Sequence, residues 1–266
     1  MNGQSLEHPT DKLLARLSAL GLPKEAIAAL LDRYTPVRYP KGSPLFAKGS
    51  PADVVFAVLS GVVKVDSSRP GTDRILVELA GPGDIVGYAD FADAGGERSQ
   101  LFEAHALTNT TVALFTRHHI MEVLKGLDTE VLVGLSEAIN TLWSSVAYRY
   151  ATFLGMSLRQ RLEVVLNELA ARFGVADSRG ILLTPELAQE ELAEMIGSSR
   201  PMVSKLLMEM MQQGILARDG RRRILVAPPR SDLLPPQPLF QSSAAPRTAS
   251  GTQRGQREAG RKTALA

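Results

Sequence analysis

No cysteine occurs among the 266 residues. That excludes a disulfide framework, a thiolate-ligated zinc and a cysteine-ligated iron–sulfur cluster, and it suits a reducing compartment. Excess charge of one sign is also lacking: 30 Lys and Arg stand against 28 Asp and Glu, a net of +2. An indiscriminate coat for polyanions is excluded, so any nucleic-acid binding must come from a local patch. Long apolar runs are missing too. Met1 to Thr10 is polar, with no apolar core of signal-peptide length, and no later run approaches the roughly 20 residues of a membrane span. These absences predict a soluble, cytoplasmic protein. The length leaves room for two compact domains and an extra segment.

The chain divides into zones. From Asp11 to Tyr34, Leu13, Leu14, Leu17 and Leu20, then Ile27, Leu30 and Leu31, recur at helical spacing on either side of Gly21-Leu22-Pro23. Two short amphipathic helices are predicted. Between Val37 and Phe115 the pattern changes to short β-branched runs, Val54 to Leu59, Val62 to Val65, Ile75 to Leu79 and Thr111 to Phe115. They are separated by turns at Gly42, Gly49, Gly61, Pro70-Gly71, Gly81-Pro82-Gly83 and Gly95-Gly96. Such spacing implies a compact antiparallel barrel or roll.

A long helix follows. Leu132, Leu135, Ile139, Leu142, Val146 and Phe153 keep heptad phase over about 25 residues, some 38 Å of helix, interrupted only where Arg149 and Tyr150 compete for the next seam position. A stripe that narrow fits a paired helix and predicts a homodimer, although a helix packed on its own domain shares the periodicity. Trp143 is read as interface packing. After Gly155 another amphipathic helix runs from about Leu158 to Phe173.

The segment from Ala188 to Leu207 reads as a helix-turn-helix. Ala193 lets two helices cross closely, Gly197 supplies the turn, and Leu192, Ile196, Val203 and Leu206 recur at core spacing. Ser198 and Ser199 cap the second helix and Pro201 lies in its first turn, where a missing N–H costs little. Arg200, Ser204 and Lys205 then share one exposed face suited to a major groove, with Ala188 and Gln189 opening the first helix beside it. Ile215 to Arg218 and Arg223 to Val226 flank the turn signal Asp219-Gly220, a wing with Arg221, Arg222 and Arg223 at its tip for phosphate contacts. Met208, Met210 and Met211 are read as core and flank packing. From Pro229 to Ala266 the chain is Pro-, Ser-, Ala- and Arg-rich without apolar periodicity, the pattern of a disordered basic tail.

The order of these parts resembles the Crp/Fnr (cyclic-AMP receptor) family of bacterial transcription regulators over about Val37 to Ala227. Gly42 to Gly49, Val55 to Val65 and Gly81 to Gly87 look like the glycine framework of its cyclic-nucleotide-binding roll, and the helix-turn-helix and wing match its carboxyl-terminal domain. The resemblance implies an α+β fold with four parts. A sensor occupies 1–127 (a helical lead-in and β-roll), a dimerisation helix 128–155, a winged helix-turn-helix 156–228 and the tail 229–266. The function implied is a sequence-specific regulator that binds palindromic double-stranded DNA as a homodimer, with RNA polymerase as a further partner, and no enzyme. A small effector, a cyclic nucleotide in the receptors that give the family its name, would bias the packing of the dimer helices and so the spacing of two recognition helices.

The effector segment departs from that pattern. Gly95-Gly96-Glu97-Arg98-Ser99 is similar to the phosphate-binding part, and Arg98 with the Ser99 hydroxyl suits a cyclic phosphate. Tyr88, following Gly87, stands where binding members carry a ribose-holding glutamate; a phenol lacks carboxylate strength. Ser144 and Ser145 fall where members reach from the dimer helix toward a bound base. Pro201 also occupies the place of a common base-reading glutamate, so one familiar half-site contact is absent.

Nothing else in the chain points to strong chemistry. His8, His105, His118 and His119 show no metal spacing, although a haem sensor of the same family needs only one histidine, and His118-His119 is expected on an exposed turn before a helix. Asp90, Asp93 and Glu97 read as a solvated loop without a nucleophile or oxyanion donor, which argues against an enzyme carrying a nucleotide module. A protein-interaction module without specific DNA binding is the remaining alternative, opposed by Arg200, Lys205 and the arginine-rich wing.

Overall fold

A computed structural model describes residues 10–67, 74–87, 99–220 and 222–226; within them the side chains of Leu142, Trp143, Ser145, Val146, Tyr148, Arg149, Thr152, Asp219 and Arg222 are not described. The chain opens with helices α1 (Asp11–Ala19) and α2 (Lys24–Asp32), broken at Gly21-Leu22-Pro23 as the spacing predicts. Strands β1 (Thr35–Tyr39), β2 (Pro44–Phe46), β3 (Val54–Ser60), β4 (Val63–Ser67), β5 (Ile75–Ala80), β6 (Ile85–Val86), β7 (Glu103–Ala106) and β8 (Thr110–Thr116) follow. Helices α3 (Arg117–Lys125), α4 (Thr129–Gly155) and α5 (Leu158–Phe173) come next. Then β9 (Val175–Asp177), β10 (Gly180–Leu182), α6 (Gln189–Ile196), α7 (Arg200–Gln212), β11 (Leu216–Asp219) and β12 (Arg222–Leu225) complete the described elements.

The eight amino-terminal strands form two four-stranded sheets, ordered β1-β8-β3-β6 and β2-β7-β4-β5, antiparallel wherever they pair. Between them lies a core of Phe46, Phe56, Val58, Val63, Val65, Ala104 and Val112. Side-chain alternation explains what covers each outer face. On β3, Phe56 and Val58 point into this core while Ala57 and Leu59 face Leu13, Leu17, Ile27 and Leu30 of the lead-in helices. The strand is therefore apolar on both faces and reads as an unbroken run.

The second sheet is covered differently. Val63 and Val65 face inward, whereas Val62, Leu76 and Leu79 belong to the large carboxyl-terminal core with Leu162, Leu166, Leu192, Ile196, Val203 and Leu207. The carboxyl-terminal half thus packs directly on the roll. At the carboxyl end β11-β12-β10-β9 make a four-stranded sheet, so the wing hairpin has a second hairpin beside it. These two three-residue strands are too short for a periodicity signal.

One sequence expectation is corrected here. His118 and His119 lie within α3 rather than on a turn before it, because the Thr116 hydroxyl accepts the His119 N–H and starts the helix earlier. His119 is buried, its Nε2 3.0 Å from the Ala29 carbonyl of α2. Among the described residues no helix is long and apolar enough to cross a membrane, and no group of three or more His, Cys, Asp or Glu side chains is arranged for a metal.

Candidate nucleic-acid interface and sensor roll

The reading helix is set by the core beneath it. Leu192 and Ile196 of α6, Val203, Leu207 and Met210 of α7, and Leu162 and Leu166 of α5 are all essentially without solvent exposure. The α6 end is closed by the Ala188 N–H, which donates to the Glu191 carboxylate at 2.7 Å. Gly197 then adopts the left-handed conformation (φ 64°, ψ 50°) that ends α6 and redirects the chain, a backbone state that costs glycine little. Ser199 is the N-cap residue of α7 and Pro201 lies in its first turn, but no serine side-chain cap bond forms.

With one face of α7 buried, the opposite row turns outward. Arg200 and Lys205 are exposed and Ser204 half-buried; Pro201, Ser204, Lys205, Met208, Glu209 and Gln212 line a shallow depression along this row. Met208 is exposed here and only Met210 is fully core, so the methionine reading holds for Met210 and not for Met208. Arg200 Nε lies 3.1 Å from Glu190 Oε1 of α6, and Lys205 Nζ 4.0 Å from Glu209 Oε1. Both pairs are largely solvated and contribute little to stability, so the cations remain available to an incoming anion.

The wing differs in one arginine. Arg223 is not at its tip: its Nη1 donates to the Leu187 carbonyl at 2.8 Å, and burial, then Arg218, lower its pKa. On β12 it stands directly across from Arg218. Arg221 lies outside the described residues, and of Arg222 only the backbone is described.

Sensor residues are partly described. Gly87 follows β6, with φ +80°, and Ser99 bridges to Pro51. Tyr88 and Arg98 lie outside the described residues, Ser144 is exposed on α4, and the Ser145 side chain is not described. On α4, Leu132 and Ile139 are 38 % and 43 % exposed in the single chain. Leu135 is partly buried against the core shared by the lead-in helices and the first roll sheet, Phe153 packs on the carboxyl-terminal core, and Leu142 and Val146 fall among the side chains not described.

Several residues without any sequence motif join the halves. Arg161 of α5 donates from Nε to Met156 O (3.1 Å), from Nη1 to Ile196 O (3.2 Å) and from Nη2 to Leu154 O (3.2 Å), and lies over the Phe153 ring. One guanidinium thus satisfies carbonyls at the carboxyl ends of α4 and α6, where helix dipoles favour a cation. Arg172 of α5 reaches Asp84 at 2.6 Å, and Lys64 of β4 reaches Glu194 of α6 at 2.8 Å.

Asp66, two residues along β4 from Lys64, has a fully buried side chain. Lys64 Nζ stands 3.5 Å from it and His105 Nδ1 4.0 Å, yet among the described residues neither carboxylate oxygen has a hydrogen-bond partner. Burial pushes its pKa up; Lys64 pulls it down, Glu194 pushes it further up, and Arg74 pulls it down. Burial also opposes the Lys64 charge, but the Glu194 hydrogen bond and the charges of Asp66, Glu194 and Glu191 outweigh it and raise that pKa. Because the folded pKa of Asp66 lies above the unfolded value, its stabilising contribution is full below the unfolded value of about 4 and is lost as pH rises through the folded one. Asp66→Asn is therefore expected to raise the melting temperature at neutral pH, with the gain shrinking as pH falls toward 4. Thermal unfolding across that range checks this, and a less stable variant at neutral pH contradicts it.

A model of the cyclic nucleotide-binding domain matches residues 36–126, and a model of the Crp-like helix-turn-helix domain matches residues 160–230. A CRP-like cAMP-activated global transcriptional regulator of Mycobacterium tuberculosis is 28 % identical over 212 residues, 79 % of this chain and 93 % of that protein. The cyclic AMP receptor protein of Thermus thermophilus is 27 % identical over 204 residues, 74 % of this chain and 86 % of that protein. Among solved structures, FixK2 from Bradyrhizobium japonicum superposes with a TM-score of 0.62 at 24 % identity, covering 76 % of this chain and 96 % of that one, a likeness of fold.

Proposed function

Because the chain belongs to the Crp/Fnr family of transcription regulators, with a cyclic-nucleotide-binding-type domain and a Crp-like helix-turn-helix, we propose that it reads palindromic DNA as a homodimer. It is an effector-responsive DNA-binding regulator and not an enzyme. Two copies pair along the heptad stripe of α4, each presents α7 to a major groove, and the regulator acts in the cytoplasm on RNA polymerase. The observation that carries this reading is the outward row of Arg200, Ser204 and Lys205 on a helix whose opposite face is core. The proposed units run 1–127, 128–155, 156–228 and 229–266. Ala188, Gln189 and Ser199 flank the reading row, and the wing supplies phosphate contacts through Arg221 and Arg222.

The effector we propose is an anionic nucleotide held by Arg98 and Ser99, with Gly87, Tyr88, Ser144 and Ser145 lining its sugar and base. The Mycobacterium tuberculosis relative is cAMP-activated, and a guanidinium beside a hydroxyl suits a cyclic phosphate. Melting curves with cyclic AMP, cyclic GMP and cyclic dinucleotides test this. One of them should raise the melting temperature of the wild type, and Arg98→Ala should abolish that rise while leaving the ligand-free value unchanged. An unchanged ligand shift in the variant moves the pocket elsewhere, and no shift in the wild type with any of them overturns the nucleotide reading.

A further inference from the structure

The outer face of the second roll sheet is where the two halves of the protein are joined, and the joint contains charges. Val62, Leu76 and Leu79 enter the carboxyl-terminal core. Beside them Lys64 and Glu194 pair at 2.8 Å with side chains 12 % and 22 % exposed, and Arg172 and Asp84 pair at 2.6 Å with 19 % and 9 %. Gly81 meets the Phe173 ring so closely that a Cβ there would collide with it, and the Arg172 guanidinium lies over the same ring at 4.9 Å. A dry apolar contact tolerates sliding, whereas two directional ion pairs excluded from most water hold one register.

Each pair grips an informative element. Glu194 lies on α6, the first helix of the helix-turn-helix, so Lys64 acts on α7 through it. Asp84 lies in the turn Gly81-Pro82-Gly83-Asp84, where its carboxylate also accepts the Gly81 N–H at 2.8 Å. Two residues of β6 separate that turn from Gly87, where the proposed effector segment begins. The docked arrangement leaves the row of Arg200, Ser204 and Lys205 outward. The contact therefore sets the direction of the reading face without blocking it.

We infer that Lys64 and Arg172 are positioning residues for DNA reading: their ion pairs with Glu194 and Asp84 fix the orientation of each recognition helix on its own sensor roll and so fix the half-site spacing the dimer accepts. This rests on the proposed reading of a palindrome by a dimer. A dimer with rigid joints pays an energetic penalty for every base pair inserted or removed between half-sites, because B-DNA rotates the second groove away from the second helix. Loosened joints let each reading helix follow its half-site.

The test uses the full-length protein, Glu194→Gln and Arg172→Gln as separate variants, Arg172→Lys as the conservative control, and a set of operators with the half-site spacing changed by one or two base pairs. Glu194→Gln lies on a half-buried helix face and keeps the side-chain shape, which guards against loss of folding. The wild type should discriminate sharply between the optimal and altered spacings. Both glutamine variants should lose roughly tenfold of that discrimination, the range of an ordinary coupling between sites, and Arg172→Lys should recover it. A merely structural role would lower the melting temperature and weaken all spacings alike. Wild-type discrimination in both glutamine variants, or uniform weakening at every spacing, overturns the inference. Failure of the wild type to bind any palindrome overturns the reading of function beneath it instead.

Discussion

Ile139→Glu combined with Leu142→Glu is expected to leave the protein monomeric or insoluble and to cut affinity for a palindromic site by about two orders of magnitude or more, the loss that accompanies an end to bivalent binding. Leu132 and Ile139 are seven residues apart on a 27-residue helix, and both are exposed in the single chain. A 3.6-residue helix returns to nearly the same side after seven residues, so the two side chains form the start of one seam. Covering such a leucine or isoleucine is worth about 1.5 to 3 kcal/mol each. Four carboxylates facing one another across a two-fold axis reverse the sign of that contribution. Sedimentation and DNA titration of the double variant check this, and a soluble double variant that still sediments as a dimer contradicts it.

Arg200→Ala is expected to weaken binding to the preferred site by about 1 to 3 kcal/mol and to relax the preference at one base pair per half-site. The guanidinium can donate to both O6 and N7 of guanine, and its 3.1 Å contact with Glu190 is solvated enough to rearrange at little cost. Neutralising Arg222 on the wing should act differently, weakening all sequences alike and flattening the salt dependence by about one counterion. Titrations against singly substituted operators at several salt concentrations separate the two. Equal losses on every operator for Arg200→Ala contradict its role as a base reader.

Much of the fold was legible because its signals are local. The Gly21-Leu22-Pro23 break, the runs that became β3, β5 and β8, the stripe within α4, and the turn at Gly197 each depend on residues close in sequence. Strands of two or three residues, β2, β6, β9 and β10, escaped because so few positions define no period. His119 escaped because a hydroxyl one turn earlier decided where α3 begins.

The joint between the halves was invisible for another reason. Lys64 and Asp66 alternate with Val63 and Val65 on β4, the pattern of an ordinary half-solvated strand. Only the packing of α6 against β5 turns that polar face inward. Arg161 and Arg223 are hidden in the same way: a charged residue in a sequence says nothing of the carbonyls that another segment will bring to it. Of the site, the reading row is a periodicity and could be read, whereas its orientation is a tertiary contact between residues 130 apart.

Selection of binding sites from random double-stranded DNA by the wild-type protein, in the presence of the effector that raises its melting temperature, tests the central claim most directly. The recovered sites should be two-fold symmetric, with half-site centres about one helical turn apart and a guanine in each half-site whose preference disappears in Arg200→Ala. Recovery of asymmetric sequences, or of the same base preferences for wild type and Arg200→Ala, would contradict it.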